Sequence, residues 1–348
     1  MADHDFASRI KNKAMELGFS SCGISDAAPF EEFIENVQKR MNHFPESKGF
    51  YEKLMLFGYP EKSAEWAKSI ITCISWYGKF RIPPSLRNLV GKCYLVDGRL
   101  SSSQEYVACQ QFDTWLQGAG LRTCRDAVTA RWSAVRAGVG QFGKNNFIFT
   151  SHGSWITIHT WMVDQEMEYD RPSLSILCPE DCTRCIDVCP TRALEGPLMM
   201  NYGNCIARLT YRVSSLPPSG LRAKMGTWLY GCDLCQDVCP LNKNRWEGER
   251  DFPGLDEFSK ILTLENLSAM DDDSFIQTIY PKLWYIKKDQ LWLWRCNLLR
   301  AMANSKNKDY FHCIQPALKH SNENIREMAA WAYERLGSTR EKKTGGRN

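Results

Sequence analysis

The stretches Cys178-Pro-Glu-Asp-Cys182-Thr-Arg-Cys185-Ile-Asp-Val-Cys189-Pro190 and Cys232-Asp-Leu-Cys235-Gln-Asp-Val-Cys239-Pro240 decide how the middle of this chain folds. Both contain the spacing C-x2-C-x3-C-P. Such short intervals let successive thiolates wrap around one 4Fe-4S cube, and the closing proline turns the chain away from it. The two runs therefore predict two iron–sulfur clusters in one module.

The same spacing occurs in bacterial ferredoxins, where the last cysteine of each run ligates the other cluster. One predicted ligand set is therefore Cys182, Cys185 and Cys239, with Cys178 as the fourth ligand. The second predicted set takes its members from both runs and from the spare cysteine between them: Cys189, Cys232, Cys235 and Cys205.

One irregularity is visible in the first run, because Cys178 precedes Cys182 by four residues where a bacterial ferredoxin has three. A pair of zinc knuckles is the alternative, since C-x2-C alone does not exclude zinc. The third cysteine followed by proline, present twice, favours iron–sulfur clusters.

Composition limits the class of protein. A length of 348 residues with 43% hydrophobic residues predicts two or three domains with real cores. The first twenty residues resemble neither a signal peptide nor a twin-arginine leader, and no apolar run approaches the length of a membrane span. Fifteen cysteines in such a chain indicate a reducing compartment. We therefore expect a cytoplasmic protein that does not bind membranes.

The net charge of +4 is unevenly distributed along the chain. Residues 280–348 hold 14 Lys/Arg against 6 Asp/Glu, a net charge of +8, whereas the rest of the chain has −4. A basic C-terminal part suggests a polyanionic partner such as RNA. A solvated helical surface is the alternative explanation, and charge alone favours it.

The first 165 residues mix helical and strand patterns. Helices are predicted at 103–117 and 131–137. Strands are predicted at 20–25, 69–77, 121–126, 146–150 and 155–163. The stretch Gly138-Val-Gly140-Gln-Phe-Gly143-Lys144 is formally G-x-G-x-x-G, but it follows a helix instead of a strand, which excludes a dinucleotide site. Its glycines would let the backbone approach a bulky ligand or another segment.

The character of the chain changes after Pro240. Helices are predicted at 289–303 and 310–319, and a third begins at Ser321-Asn-Glu-Asn and ends at Gly337. Paired helices of this kind resemble HEAT-type repeats. Residues 341–348 are predicted to form a disordered tail.

Several stretches carry a family resemblance, and they are spread over most of the chain: Leu17-Gly-Phe-Ser-Ser-Cys-Gly-Ile24, Ala67-Lys-Ser-Ile-Ile71, Arg136-Ala-Gly-Val-Gly-Gln-Phe-Gly-Lys144, Gly153-Ser-Trp155, Cys182 to Thr191, Cys205-Ile-Ala-Arg-Leu-Thr210, Tyr230-Gly-Cys-Asp-Leu-Cys-Gln-Asp-Val-Cys-Pro240 and Trp294-Arg-Cys-Asn-Leu-Leu-Arg-Ala-Met-Ala-Asn304. With these segments the chain resembles epoxyqueuosine reductases, the cobalamin-dependent iron–sulfur enzymes of tRNA queuosine synthesis.

The resemblance implies an α+β fold in three parts. Residues 1–165 would form a nitroreductase-like domain for cobalamin and substrate. Residues 166–250 would form the ferredoxin-like two-cluster module, and residues 251–340 the HEAT-like helical domain. The implied contacts to cobalamin come from the glycine-rich loop and the segment that follows it: Gly138, Gly140, Gly143, Lys144, Ser154 and Trp155.

The resemblance also implies an activity. A low-potential donor of the ferredoxin or flavodoxin type would reduce the two clusters, which pass electrons to cobalt and then to the substrate, with tRNA as a possible partner. Two alternatives share parts of this chemistry. One is a reductive dehalogenase-like corrinoid enzyme, and the other is an electron-transfer protein that reductively activates another protein's cofactor.

The chain departs from the family in the region of the substrate. The family's catalytic aspartate stands in an Asp-x-Ala-Pro segment, where this chain has Thr123-Cys-Arg-Asp-Ala-Val128. Asp126 is the candidate proton donor, although it lies two places closer to the glycine-rich loop and no proline follows it. Its alternative role is to cap the next helix.

Two further elements are absent from the sequence. The family's Asp-Tyr-His element is replaced by Ser101-Ser-Ser-Gln-Glu-Tyr106. No Asp-x-His pair occurs, so histidine ligation of cobalt is not predicted, and His152 and His159 are interpreted as structural. A changed acid region beside intact cluster motifs is compatible with a different substrate.

Overall fold

The computed structural model describes residues 4–173 and 175–338. The predicted tail at 341–348 lies outside them. The chain forms two compact units. The sheet unit comprises the described part of Met1–Arg81, Val96–Gly203 and Leu234–Pro253. The helical unit comprises Ile82–Leu95, Asn204–Asp233 and the described part of Gly254–Asn348. The predicted division at residues 165 and 250 stays a prediction.

The α-helices of the described residues, in chain order, are α1 His4–Glu16, α2 Glu31–His43, α3 Lys48–Met55, α4 Pro60–Ser63, α5 Lys92–Leu95, α6 Gln104–Gly118, α7 Ala130–Arg136, α8 Arg184–Asp187, α9 Ile206–Tyr211, α10 Ser219–Arg222, α11 Leu234–Asp237, α12 Leu255–Ile261, α13 Leu264–Ala269, α14 Asp272–Thr278, α15 Leu291–Ser305, α16 Phe311–Ile314 and α17 Glu323–Gly337. The strands are β1 Ser21–Asp26, β2 Ser69–Trp76, β3 Thr123–Arg125, β4 Gln141–Phe142, β5 Ile148–Phe149, β6 Ile156–Val163, β7 Leu194–Gly196 and β8 Met199–Met200.

A four-stranded antiparallel sheet in the order β1-β2-β6-β3 forms the centre of the sheet unit. The register places Cys73 of β2 between Cys22 of β1 and His159 of β6. The run Ser-Ile-Ile-Thr-Cys-Ile-Ser is buried along its whole length because helices cover both faces of β2. This strand therefore lacks the alternation of buried and exposed residues that a half-buried strand shows.

The two faces of the sheet carry separate cores. Ile71 and Cys73 of β2 point to the core made with α1 and α6, which includes Phe112. Ile70 and Met162 point to the opposite core, made with α2 and α3. This alternation along β2 follows from the two-residue period of a strand.

The strands predicted in the first 165 residues are confirmed as β1, β2, β3, β5 and β6, and the two predicted helices as α6 and α7. The N-terminal cap of helix α6 is Ser103, whose side chain accepts a hydrogen bond from the backbone amide of Tyr106. The mixed helix and strand composition agrees with the predicted α+β class. The nitroreductase-like and HEAT-like descriptions of the parts stay predictions.

The helical unit is built around α15, most of whose residues are buried. Helix α17 packs against α15 and buries Ile325, Met328, Ala332 and Leu336, the face predicted from the sequence. The predicted helix at 310–319 is instead α16 followed by a 3-10 helix, because Pro316 lacks the amide that an α-helix would need there. In the described part of the chain, no helix combines the length and apolar character needed to span a membrane.

Candidate iron–sulfur site

The first predicted ligand set lies together in the sheet unit. Cys185 stands on α8, and Cys239 follows α11, which packs against α8. The pKa of the Cys185 thiol is raised to about 11, chiefly by burial and then by the neighbouring thiols of Cys178, Cys239 and Cys182. The pKa of Cys239 is raised by burial and by Cys178 and Cys182. Binding of a cationic iron cluster would stabilise the thiolate forms of these grouped cysteines.

The second predicted set is distributed over both units. In the sheet unit, the Cys189 sulfur accepts a hydrogen bond from the backbone amide of Ala193 at 3.3 Å, and Cys235 lies on α11. In the helical unit, Cys205 precedes α9 and Cys232 follows Gly231. Cys189 and Cys235 thus belong to the sheet unit, and Cys205 and Cys232 belong to the helical unit. That these four cysteines ligate one cluster stays a prediction.

Helix α15 organises the helical unit around Cys205 and Cys232. The buried Asn297 side chain donates to the carbonyl of Thr210, at 2.7 Å, and to that of Leu229, at 3.1 Å. The Thr210 hydroxyl accepts from the amide of Gly231 at 2.9 Å. One amide side chain therefore ties the helix after Cys205 to the segment before Cys232.

Two further side chains of α15 hold the same loop. Arg300, fully buried, donates to the carbonyls of Gly226 and Trp228, and Asn304 also donates to Gly226. The polar residues of the segment Trp294–Asn304 thus hold the backbone that precedes Cys232 in place. The sequence patterns did not predict this role, because apolar periodicity carries no information about buried amides and guanidinium groups.

Lys144 lies at the first cluster motif. Its ammonium donates to the carbonyls of Pro179, Glu180 and Cys182, at 2.8, 2.6 and 3.1 Å. Its backbone amide donates to the sulfur of Cys178 at 3.3 Å. A contact from this ammonium to cobalamin therefore competes with three existing hydrogen bonds.

The glycines of the loop are required by contacts within the chain. A Cβ at Gly138, which has φ +67°, would lie 2.5 Å from the carbonyl oxygen of Arg171. At Gly140 it would lie 2.3 Å from the side chain of Ile148, and at Gly143 2.4 Å from the ring of Phe149. Of the two expected explanations, close approach of another segment is the one that these distances support.

Within the sheet unit, Ser154 contacts the residues in and after the second cysteine run. Its amide donates to the side-chain oxygen of Asn242 at 2.8 Å, and its hydroxyl accepts from Asn242 at 2.9 Å and from Gln236 at 2.9 Å. Trp155 is buried beside Trp246, with ring centroids 5.2 Å apart in an edge-to-face arrangement. Both residues support the cluster module, and sequence reasoning missed Gln236 and Asn242 as the partners of Ser154.

Asp126 occupies the end of β3 with φ +55°. Its Oδ1 accepts from the amide of Thr160 at 3.1 Å, and its Oδ2 lies 3.3 Å from Nε of Arg125. The N-terminal cap of α7 is Thr129, so the alternative role as a helix cap is wrong. The carboxylate joins β3 to β6 and remains half exposed.

The two central histidines have structural surroundings. His159 is buried next to the Cys109 sulfur, at 3.4 Å, and the Ser75 hydroxyl, at 3.2 Å. Burial lowers its pKa to about 3, with smaller contributions from Arg125 and Arg99. His152 stacks on Trp76 with ring centroids 4.6 Å apart.

Within residues 4–173 and 175–338, no group of three or more His, Cys, Asp or Glu side chains surrounds a position for a single metal ion. The thiolates of a four-iron cluster stand further apart than the ligands of one ion.

Comparison with known proteins defines the class. Residues 178–242 match the family model described as a 4Fe-4S double cluster binding domain. An iron–sulfur module within an α+β chain of this length indicates an oxidoreductase.

Relatives then define the family. Epoxyqueuosine reductase of Synechococcus sp. strain CC9605 is 33% identical over 85% of this chain and 94% of its own length. The Cyclobacterium marinum enzyme is 30% identical over 67% and 78%. A solved epoxyqueuosine reductase with an epoxyqueuosine-modified tRNA-Tyr stem loop has TM-score 0.79 and 26% identity, covering 96% of this chain and 90% of that one. The Bacillus subtilis structure has TM-score 0.78 and 26% identity, covering 95% and 90%. This chain belongs to the epoxyqueuosine reductase family.

As a member of this family, the chain is an oxidoreductase that uses two 4Fe-4S clusters and cobalamin. These findings support the main interpretation and not the reductive dehalogenase-like or electron-transfer alternatives.

The donor chemistry of the sheet unit fits a corrinoid. Several buried side-chain donors of the sheet unit have no hydrogen-bond partner among the described residues, among them the side-chain amide nitrogen of Asn146 and the indole nitrogens of Trp76 and Trp161. Asn146 is only 2% exposed, and its oxygen already accepts from Arg40. Unpaired buried donors are costly, and the amide carbonyls around a corrin ring are suitable acceptors.

Proposed function

We propose that this chain reduces epoxyqueuosine in tRNA to queuosine. The observation that carries the proposal is the likeness over nearly the whole length to enzymes of this name, including one solved with the modified tRNA stem loop. Removal of the epoxide oxygen consumes two electrons and two protons and releases water. The chain must therefore supply an electron path, a proton donor and an RNA-binding surface.

An RNA-binding surface is available on the helical unit. Trp284 is 37% exposed and stacks on Tyr285, with ring centroids 4.3 Å apart. Arg212 lies over the Tyr285 ring at 5.1 Å, and the neighbouring Lys287 and Lys288 are exposed. Stacked aromatic rings bind bases, and the cations bind phosphates. This combination supports a single-stranded or loop region of RNA as the partner.

The electron path begins at the cysteine runs. The proposed ligands are Cys178, Cys182, Cys185 and Cys239 for one cluster and Cys189, Cys205, Cys232 and Cys235 for the other. Bound cobalamin supplies a strongly reducing cobalt for the substrate. We propose a low-potential donor of the ferredoxin or flavodoxin type, since the clusters must be reduced first, and a cytoplasmic location, supported by the fifteen cysteines.

Cobalamin would be held by the sheet unit. Asn146 and Trp76 provide the buried donors for its amide rim. The residues proposed from the resemblance are Gly138, Gly140, Gly143, Lys144, Ser154 and Trp155. These residues already make contacts within the chain through their side chains or Cα atoms. We therefore expect them to form the wall of the cobalamin site and to connect that site to the clusters.

Asp126 is the proposed proton donor. It is half exposed at the end of the central sheet, on the segment that replaces the family's Asp-x-Ala-Pro element. An acid on this segment would have to reach the epoxide oxygen within hydrogen-bond distance. The hydrogen bond to Thr160 fixes the direction of its carboxyl group.

The test is anaerobic incubation of the reduced, cobalamin-loaded enzyme with epoxyqueuosine-containing tRNA, with queuosine measured by mass spectrometry. We expect turnover that depends on cobalamin and on a low-potential reductant. The control is tRNA carrying queuosine already, which should remain unchanged. Protein that holds about eight iron atoms and cobalamin but leaves the epoxide intact contradicts the proposed substrate.

A further inference from the structure

The ammonium of Lys144 closes the first cluster loop. Lys144 is 9% exposed. Its three N–H donors are matched by three carbonyls, those of Pro179, Glu180 and Cys182. A lysine has three ammonium donors, so this set uses all of them. The side chain is thus committed to the segment between the first two cysteines of the run.

Hydrogen bonds also hold the backbone on both sides of Lys144. The amide of Gly143 donates to the carbonyl of Phe147 at 2.9 Å, and the amide of Asn146 donates back to Gly143 at 2.9 Å. The amide of Phe147 donates to the side chain of Asn145 at 3.1 Å. The turn that carries Lys144 is therefore held by hydrogen bonds within residues 143–147.

The same turn contacts both cysteine runs. The amide of Lys144 donates to the Cys178 sulfur, and the side chain of Asn145 donates to the carbonyl of Cys235 at 3.1 Å. All of these residues lie in the sheet unit. Two adjacent residues thus set the position of the first run and of α11 in the second.

The contact explains the irregular spacing of the first run. The interval from Cys178 to Cys182 contains one residue more than in a bacterial ferredoxin. The additional residue forms a loop in which three carbonyl oxygens converge. Their mutual repulsion would open the loop, and a buried cation at its centre stabilises it.

We propose that Lys144 is a positioning residue for the first cluster and that its charge raises the reduction potential of that cluster. Reduction adds an electron to the cluster, so a nearby positive charge stabilises the reduced form more than the oxidised form. Net charge and hydrogen bonds to sulfur are established determinants of cluster potential. Because Lys144 is shielded from water, its charge is weakly screened. This role concerns the first cluster and does not depend on the identity of the substrate.

The experiment compares Lys144→Met, which removes the charge, with Lys144→Arg, which keeps it. The matched control is Lys243→Met, which removes an exposed lysine four residues after Cys239. Each protein, reconstituted anaerobically with iron and sulfide, is analysed for iron content and titrated with a reductant while the two cluster signals are followed by EPR. None of these measurements requires turnover.

In Lys144→Met we expect the potential of one cluster to become more negative and that of the other to change less. Lys144→Arg and Lys243→Met should stay closer to the wild-type values. Unchanged potentials in Lys144→Met, equal shifts of both clusters, or equal shifts in the Met and Arg variants would overturn the proposal.

Failed assembly is also informative. About four iron atoms in Lys144→Met, against about eight in Lys144→Arg, would support the positioning role, provided that circular dichroism shows a preserved fold. Loss of all iron from both variants together with their secondary structure would overturn it, since the lysine would then be needed for folding in general.

Discussion

Asp126 joins two strands and is the proposed acid, and one substitution separates these roles. Asn keeps an oxygen for the amide of Thr160 and tolerates positive φ, so Asp126→Asn should cost less than about 1 kcal/mol of stability. We expect queuosine formation to fall by about 100-fold or more, because the acid is removed.

Asp164 provides the control for this prediction. It also accepts a hydrogen bond from a backbone amide, that of Arg122 at 3.0 Å, beside the same sheet. Asp164→Asn should leave turnover close to wild type. Undiminished turnover in Asp126→Asn would assign Asp126 a structural role only.

His159 makes stability depend on pH. Its pKa falls from 6.5 to about 3 because it is buried, so the unfolded chain binds a proton that the folded chain does not. The stability from neutral His159 is complete above pH 6.5 and is lost as the pH falls toward 3. Between pH 7.5 and 5.5 this loss amounts to about 1.4 kcal/mol.

The measurement is urea unfolding of wild type and His159→Gln over this range. The variant should be less stable at pH 7.5, but the difference should shrink by about 1.4 kcal/mol at pH 5.5. Contributions shared by both proteins cancel in the comparison. Parallel pH profiles would mean that the pKa of His159 is the same in the folded and the unfolded chain.

Helix α17 starts with a side-chain cap, which makes its contribution to the helical unit measurable. The Asn322 oxygen accepts from the amide of Ile325, one of the amides that have no partner within the helix. We expect Asn322→Ala to destabilise the protein by about 1 kcal/mol in chemical unfolding. Asn324→Ala, inside the same first turn, should have a clearly smaller effect; equal losses would contradict the capping assignment.

Helix α15 shows how one element serves two purposes. Its apolar residues form the core of the helical unit, and its polar Asn297, Arg300 and Asn304 hold the backbone near Cys232. Burial lowers the pKa of the Arg300 guanidinium to about 9, and its hydrogen bonds to the carbonyls of Gly226 and Trp228 offset part of the lost hydration. The position of the cluster segment thus depends on the helical core.

At the scale of the molecule, the basic C-terminal part should determine how tRNA binding responds to salt. Each lysine that neutralises a phosphate releases a counterion, so Lys287→Gln/Lys288→Gln should reduce the slope of log affinity against log salt by up to about two. Fluorescence anisotropy with a labelled anticodon stem loop measures this slope. Lys39→Gln/Lys53→Gln in the sheet unit is the matched control and should leave it unchanged.

Several features were predictable because they depend on local pattern. Examples are the buried run of β2, the amphipathic face of α17 and the duplicated cysteine spacing. Each of these patterns lies in consecutive residues of one element and reflects the environment of that element alone. The break after α16 was missed, although Pro316 was visible, because the apolar spacing continues across it.

The sequence by itself determined the chemistry of this protein, since thiolate spacing follows from the size of the cluster and is written in consecutive residues. Only the tertiary structure decided that Lys144 serves the loop from Cys178 to Cys182, and that Asn242 and Asn297 hold the segments around the other cysteines. The physical reason is that a buried hydrogen bond joins residues 35 to 88 positions apart, and nothing in a local pattern specifies the partner.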